Sequence, residues 1–465
     1  MVQEHKREKE VTPAIERMGH GISRSVERWF PDPFLFAIIL IFIVFVMAWI
    51  IQQRNPYLLM QDMYKGFWDF LAFAMQMCLI LVTGYALAYH PRVRRSIDWL
   101  CTVPKNGKQA AALIAFTSCI FSWINWGLGL IIGAYFARAM GRQSYFRKLP
   151  VHYPMLCVAG YTGLGLIWHW GLSATVPLVS TTEGHFLEKI IGIITADQTI
   201  LGSYALLNSL IILFFAVVVC YLLHPHPQRC RGIEHYAPGL VEKGEEEKVE
   251  KPVVVTTADK IENNRWIALV MLLLMTGSIA YWFGTKGFMA GLDLNAVNFC
   301  FILLGLIIYF NPIAYMRAIY TAVATVGGII LQFPFYAGIQ GVMMYSGLGV
   351  TLAEWLAKAA TPFTYPVIAW LIGGVVNLFI PSGGGEWMTI GESISRAGVA
   401  LGVPAGKFII AYAAGDAWTN LFNPFWAIAL LAITQVKARD IFGYCIAILI
   451  LAVIPYALGL TFIPF

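Results

Sequence analysis

The stretch VVNLFIPSGGGEW, residues 375–387, decides how this chain is read. It ends a long apolar run that begins near Tyr365. Pro381 lacks an N–H and clashes with the preceding turn, so it is expected to close a helix. Ser382, Gly383, Gly384 and Gly385 follow, a backbone without helical preference. A new helix is expected near Glu386, with Ser382 or a glycine as its cap. Irregular backbone cannot face lipid, because its polar groups would be unsatisfied; at membrane depth it must be packed in protein or line a wet cavity. The stretch therefore reads as the tip of a re-entrant hairpin at a binding site. An ordinary turn outside the membrane is the alternative.

Composition supports a membrane setting. The chain has 465 residues, 58% hydrophobic and 12% charged, with mean hydropathy +0.68. That balance indicates an all-α polytopic membrane protein. The 8 Cys are scattered without a CxxC, which argues against a disulfide framework or a zinc site. The net charge of +6 arises from loop bias and is no nucleic-acid signal. Residues 1–33 read as a cytoplasmic segment and not as a signal peptide. Within it Ile15, Met18, Ile22, Val26, Trp29 and Phe30 recur at helical spacing between Arg17, Arg24 and Arg28, as in an interfacial helix.

Uninterrupted spans are predicted at 34–51, 67–88, 200–223, 266–283, 296–310, 318–345 and 441–462. The run 110–137 is interrupted by SWINWGLG (122–129), a second hairpin tip. The runs 153–179 and 408–433 read as broken helices, around GYTGLGLIWHWGLSATVP and GDAWTNLFNP (415–424). Residues 224–265 are polar and form a cytoplasmic linker between two transmembrane repeats, 34–223 and 266–465. Each repeat carries one hairpin and one broken helix. The first hairpin arm, 110–121, has 12 residues, about 18 Å of helix at ~1.5 Å per residue. Against a ~30 Å hydrocarbon core it reaches only the midplane.

One crossing precedes Phe67 and six precede Ala318, so the repeats are expected to be inverted. The charge distribution gives the orientation. The segments on the N-terminal side carry 25 Lys and Arg and those on the other side 7. Positive-inside bias then puts the N-terminus in the cytoplasm and, after nine crossings, the C-terminus outside.

Intramembrane ionisable groups are expensive, which makes Glu386 and Asp416 candidates for holding a cation or a proton. A structural pair with a helix end or Arg396 is the alternative. His169, in the first broken helix, is a candidate for proton coupling or a hydrogen-bonded packing residue. Asn125, Asn377, Asn420 and Asn423 sit at the breaks; their amide oxygens suit Na⁺, or they cap helices. The helix starts after Gly385 and Gly129 offer free N–H groups to a carboxylate. The expected substrate site comprises Ser122, Asn125, Trp126, Gly127, Gly129, Asn377, Ser382, Gly383, Gly384, Gly385, Asn420 and Asn423. The expected coupling-ion site comprises Asp416, Glu386, Asn125, Asn377, Asn420 and His169. No GxSxG, HExxH or P-loop occurs, so no enzyme is indicated.

RWFPDPFLFA, GFWDFLAFAMQM, INWGLGL, QFPFYAGIQ, NLFIPSGGGEW, NPFWA and RDIFGYC together resemble the bacterial short-chain fatty acid transporter family, from about residue 23 to the C-terminus outside most of the linker. The resemblance implies uptake of small carboxylates such as acetoacetate or butyrate across the cytoplasmic (inner) membrane. It also places the chain near a larger ion-transporter group with hairpin-bearing transport domains and dimeric scaffolds. The expected function is therefore cation-coupled transport, with Na⁺ or H⁺ as coupling ion, no other cofactor, and a homodimer built on spans such as 34–51 and 266–283. A passive carboxylate channel or an anion exchanger is the alternative.

Overall fold

The structure, a computed structural model, describes residues 33–465 except 70, 182–183, 186, 243–255, 292–293, 324–325, 359, 380 and 382. The expected interfacial helix and Ser382 lie outside the described residues. Among those described, all regular structure is helical. The first half runs α1 (Pro33–Ile51), α2 (Pro56–Asp69), α3 (Leu71–Tyr89), α4 (Pro91–Thr102), α5 (Gly107–Ile124), α6 (Trp126–Phe146), α7 (Tyr153–Thr162), α8 (Thr175–Ser180) and α9 (Ser203–Leu223). A π turn (Gly163–Ile167) and a 3₁₀ turn (Trp168–Trp170) extend α7. The second half runs α10 (Arg265–Lys286), α11 (Leu294–Tyr309), α12 (Pro312–Val323), α13 (Gly327–Ser346), α14 (Leu348–Ala357), α15 (Tyr365–Asn377), α16 (Gly383–Ala400), α17 (Ala405–Thr419), α18 (Pro424–Thr434) and α19 (Ala438–Phe462). Helices long and apolar enough to cross a membrane include Ser203–Leu223 and Ala438–Phe462.

Packing joins the two halves. α1 packs on α13 and α11 packs on α3. Likewise α2 packs on α13 while α12 packs on α3, and α18 packs on α6 while α8 packs on α16. α9 and α19 pack on each other. α2 and α13 meet where a Cβ on Gly66 would fall 2.7 Å from the Gly341 Cα. Such small-residue crossings let backbones approach where lipid supplies no hydrophobic drive.

Contacts sort the connecting segments into two ends. At one, the His152 N–H donates to His224 Nε2 (3.1 Å), the Tyr153 hydroxyl to the Thr434 carbonyl (2.8 Å) and Asn311 Nδ2 to Asn263 Oδ1 (3.1 Å). At the other, Gln52 Nε2 donates to Thr351 Oγ1 (2.6 Å), and ring pairs join Phe363 to Phe462 and Tyr204 to Phe465. The α5–α6 hairpin opens at the first end, where the Arg147 guanidinium bonds the Cys101 carbonyl (2.7 Å). The α15–α16 hairpin opens at the other, where Tyr365 and Gly398 lie against Phe408.

Several element boundaries differ from expectation. The run expected as one span over 318–345 is shared between α12, which ends at Val323, and α13, which begins at Gly327. α5 is an 18-residue helix, not a 12-residue arm. Asn106 accepts the Gln109 N–H and starts it in the polar KNGK segment, so its length no longer argues for a stop at the midplane. α2 was not anticipated, because Gln61, Asp62 and Lys65 dilute its hydropathy; Arg54 holds Asp62 through two bonds of 2.6 and 2.9 Å. α15 ends at Asn377, before Pro381, and α16 begins at Gly383, not near Glu386. The Asn377 side chain is engaged by α17, which turns the chain early. The three glycines then form the first turn of α16.

Candidate functional site

Each hairpin tip is clasped by a broken helix. Between α5 and α6 a single residue, Asn125, leaves the helical conformation (φ −154°, ψ 126°). The expected eight-residue interruption shrinks to this position because Asn125 both ends α5 and caps α6. Its Oδ1 accepts the Leu128 N–H at 3.0 Å. Around it, the Trp126 N–H donates to Ser173 Oγ (3.0 Å) and the Leu172 N–H to the Trp123 carbonyl (2.7 Å). Ser173 and Leu172 belong to the gap between the Trp168–Trp170 turn and α8, so the first broken helix holds the first tip. Ser122 and Gly129 seal this hairpin: a Cβ on Gly129 would have no room beside the Ser122 backbone. Gly127 is buried in the first turn of α6.

The second tip is held in the same way. Asn377 Nδ2 lies 2.8 Å from the Asp416 carbonyl, 3.0 Å from Thr419 Oγ1 and 2.7 Å from Asn420 Oδ1. Asn423 Nδ2 donates to the Asn377 carbonyl (2.9 Å), while its Oδ1 caps α18 at the Phe425 N–H (3.1 Å). The break between α17 and α18 is thus Asn420 to Asn423, one turn beyond Asp416. Tyr161 on α7 donates its hydroxyl to the freed Asn420 carbonyl (2.7 Å). The backbone groups released at the break are satisfied inside the protein, as a lipid environment demands.

The two tips converge through aromatic rings onto one buried His–Asp pair. Trp126, from the first tip, lies 5.4 Å from Trp168 and 5.3 Å from Trp426 on α18. Trp168 stacks on His169, with ring centroids 4.1 Å apart. His169 Nε2 pairs closely with Asp416 Oδ2 on α17, and both side chains are wholly buried. The glycine turn of α16 abuts this pair. A Cβ on Gly383 would lie 2.9 Å from His169 Nε2 and 3.1 Å from Asp416 Oδ2. At Gly384 a Cβ would lie 3.2 Å from the Thr175 methyl of α8. Gly385, the third residue of this turn, is buried. Glu386 follows, fully buried, facing Tyr412 and Asp416.

Several buried atoms here have no hydrogen bond: Asn377 Oδ1, Asn420 Nδ2 and His169 Nδ1. Unsatisfied polar groups in a buried site call for a functional explanation. Among the described residues, no three His, Cys, Asp or Glu side chains converge as a metal set. No Lys or Arg is among the buried described residues.

Of the expected site residues, the structure brings Asn377, Gly383, Glu386, Asp416, Asn420 and His169 into one cluster. Asn125 and Trp126 reach it through Trp168. Asn423 serves mainly to cap and clamp. Sequence reasoning missed Ser173, Tyr161 and Tyr412. Only Tyr412 left a usable signal, since it lies four residues before Asp416 and shares its helix face.

The chain matches the family model for short chain fatty acid transporters over residues 14–463. It belongs to that family. A protein of Escherichia coli (strain K12) named for short-chain fatty acid transport is 35% identical over 447 residues, covering 96% of this chain and 99% of the relative. A similarly named protein of Haemophilus influenzae (strain ATCC 51907 / DSM 11121 / KW20 / Rd) is 33% identical over 458 residues, covering 97% of this chain and 100% of the relative. This member of the short-chain fatty acid transporter family is therefore a multi-pass membrane transporter and not an enzyme. Among solved structures, the Alcanivorax borkumensis YdaH transporter aligns at TM-score 0.47 and 16% identity, covering 93% of this chain and 97% of that one. Neisseria gonorrhoeae MtrF, from work on a class of antimetabolite efflux pumps, aligns at TM-score 0.39 and 14% identity, covering 94% and 97%.

Proposed function

We propose that the protein is a cation-coupled secondary carrier of short-chain fatty acids or related small monocarboxylates across the bacterial cytoplasmic membrane. The observation that carries this reading is the convergence of both hairpin tips and both helix breaks on the buried His169–Asp416 pair. A carrier needs such a site, reachable in turn from each side. A carboxylate moving into a negative interior opposes about 2.3 kcal/mol per 100 mV. Uphill uptake therefore needs a cotransported cation, and the site offers acidic groups and the unbonded Asn377 Oδ1 to hold one. In proteoliposomes, radiolabelled acetoacetate should accumulate above equilibrium when a Na⁺ or a pH gradient is imposed alone. Simple equilibration under both gradients would indicate a channel instead.

In this reading the two repeats are inverted and start at α1 and α11, with α10 outside the symmetry. The opposite openings of the two hairpins support it. The charge split supports a cytoplasmic N-terminus and linker. In intact cells, a cysteine at Glu234 should resist an impermeant maleimide, while one at Lys286 should react; the reverse pattern would overturn the orientation. We further propose a homodimer that buries part of α10, whose Trp266, Leu273 and Tyr281 are 73%, 65% and 75% exposed. A mass of one protomer in nanodiscs would count against it.

A further inference from the structure

Resting on the carrier reading, we propose that His169 is the positive charge that receives the substrate carboxylate, and that a proton entering with the substrate releases His169 from Asp416. The argument starts from charge. A carboxylate held at the breaks needs a cation or strong donors near it, because an unpaired buried charge is costly. No Lys or Arg is among the buried described residues. Arg396 is spent on Glu392 and Lys407 sits over Tyr204, both away from the tips. His169 is the ionisable cation-former at the convergence of the four elements, and its partner is Asp416.

The pair as it stands is closed to an anion. With imidazolium facing aspartate, the site is electrically balanced, and a second carboxylate would add a net negative charge. One proton restores the balance. Protonated Asp416 no longer competes for Nε2, and the imidazolium can turn its charge to the incoming carboxylate. The groups facing the pair favour this exchange. From α16 comes Glu386, acidic and set against Tyr412. From α17 comes Tyr412, beside Glu386. From α15 comes Asn377, whose amide engages the Asp416 carbonyl and leaves the carboxylate alone. Trp168 stacks on the imidazole and brings no charge. Thr175 of α8 and the backbone of Gly383 complete the wall. None of these is a cation, so a proton is the counter-charge available to Asp416 when His169 leaves it. Proton and carboxylate travel together, and the returning empty site is again the neutral His169–Asp416 pair.

This arrangement makes the two partners of one ion pair act oppositely on substrate affinity. Counterflow of radiolabelled acetoacetate, with equal pH on both sides, measures the half-saturation concentration. His169→Gln should raise it about tenfold or more, because a charge-assisted contact is lost. Asp416→Asn should lower it severalfold when measured about a pH unit below the ordinary imidazole range, where an imidazole is charged without an anionic partner, because the competitor for His169 is gone. If both substitutions raise it alike, the pair is structural or holds a metal cation, and the proposal is overturned. Should either variant fail to fold, the wild type decides. In weakly buffered detergent solution with a pH indicator, binding should take up about one proton per acetoacetate. Binding without proton uptake overturns the proposal while leaving the carrier reading intact. Absence of any protein-dependent counterflow in the wild type overturns the carrier reading, and this proposal with it.

Discussion

Asp416→Asn is expected to reduce gradient-driven accumulation of acetoacetate to the equilibrium ratio while exchange persists. Asp416 is the carboxylate at the centre of the site, paired with His169 and adjoining the Gly383 turn. Whichever cation is cotransported, it has to neutralise a charge that the substrate adds, and asparagine cannot change its charge. The substitution keeps shape and volume, and the backbone carbonyl that anchors Asn377 is untouched. Folding should therefore survive, which size-exclusion profile and Tm would verify. Exchange requires no net proton movement, so labelled substrate should still swap across the membrane. Uphill accumulation at the wild-type level would remove Asp416 from the coupling step and leave Glu386 or anion exchange.

The second large effect belongs to Gly383. A valine there places its Cβ 2.9 Å from His169 Nε2, closer than real Cβ contacts allow. Neither neighbour can yield readily: the imidazole is stacked on Trp168 and Asp416 sits inside α17. The ion pair must open. Separating a buried pair costs roughly 3–5 kcal/mol, so transport should fall by about a hundredfold or more in Gly383→Val. At Gly384 the nearest obstacle is one methyl of Thr175, at 3.2 Å. Gly384→Ala should accordingly cost only a few-fold. Uptake rates per correctly folded carrier, normalised by size-exclusion, check the ranking. Equal rates for wild type and Gly383→Val would exclude the glycine turn from the transport site.

Much of the architecture was legible because the membrane restricts what a backbone can do. Glycine, proline and asparagine inside apolar runs had to mark breaks buried in protein, and Asn125, Asn377 and Asn420 all lie at such breaks. The exact ends were less legible. Asn377 stops α15 through a partner 39 residues away in the chain, Asp416, which local propensity cannot reveal. α2 escaped notice for the opposite reason: its polar face is matched to Arg54 and α13, so its hydropathy resembles a loop. The site residues were found singly but not as an assembly. His169 and Asp416 belong to different halves, and nothing in either local sequence announces the other. Ser173 and Tyr161 act through contacts to distant backbone groups, and a single hydroxyl carries no periodicity that would expose it.

The central claim is that substrate binds where the two tips meet. Chemical protection at Gly384, half-buried on the glycine turn, tests it most directly. In a background with Cys230 and Cys300 replaced by serine, Gly384→Cys should react with a small methanethiosulfonate reagent. Acetoacetate and butyrate should slow that reaction, with half-protection at the concentration that half-saturates counterflow. Reaction at the same rate with and without saturating substrate, in protein that still performs counterflow, would contradict the account.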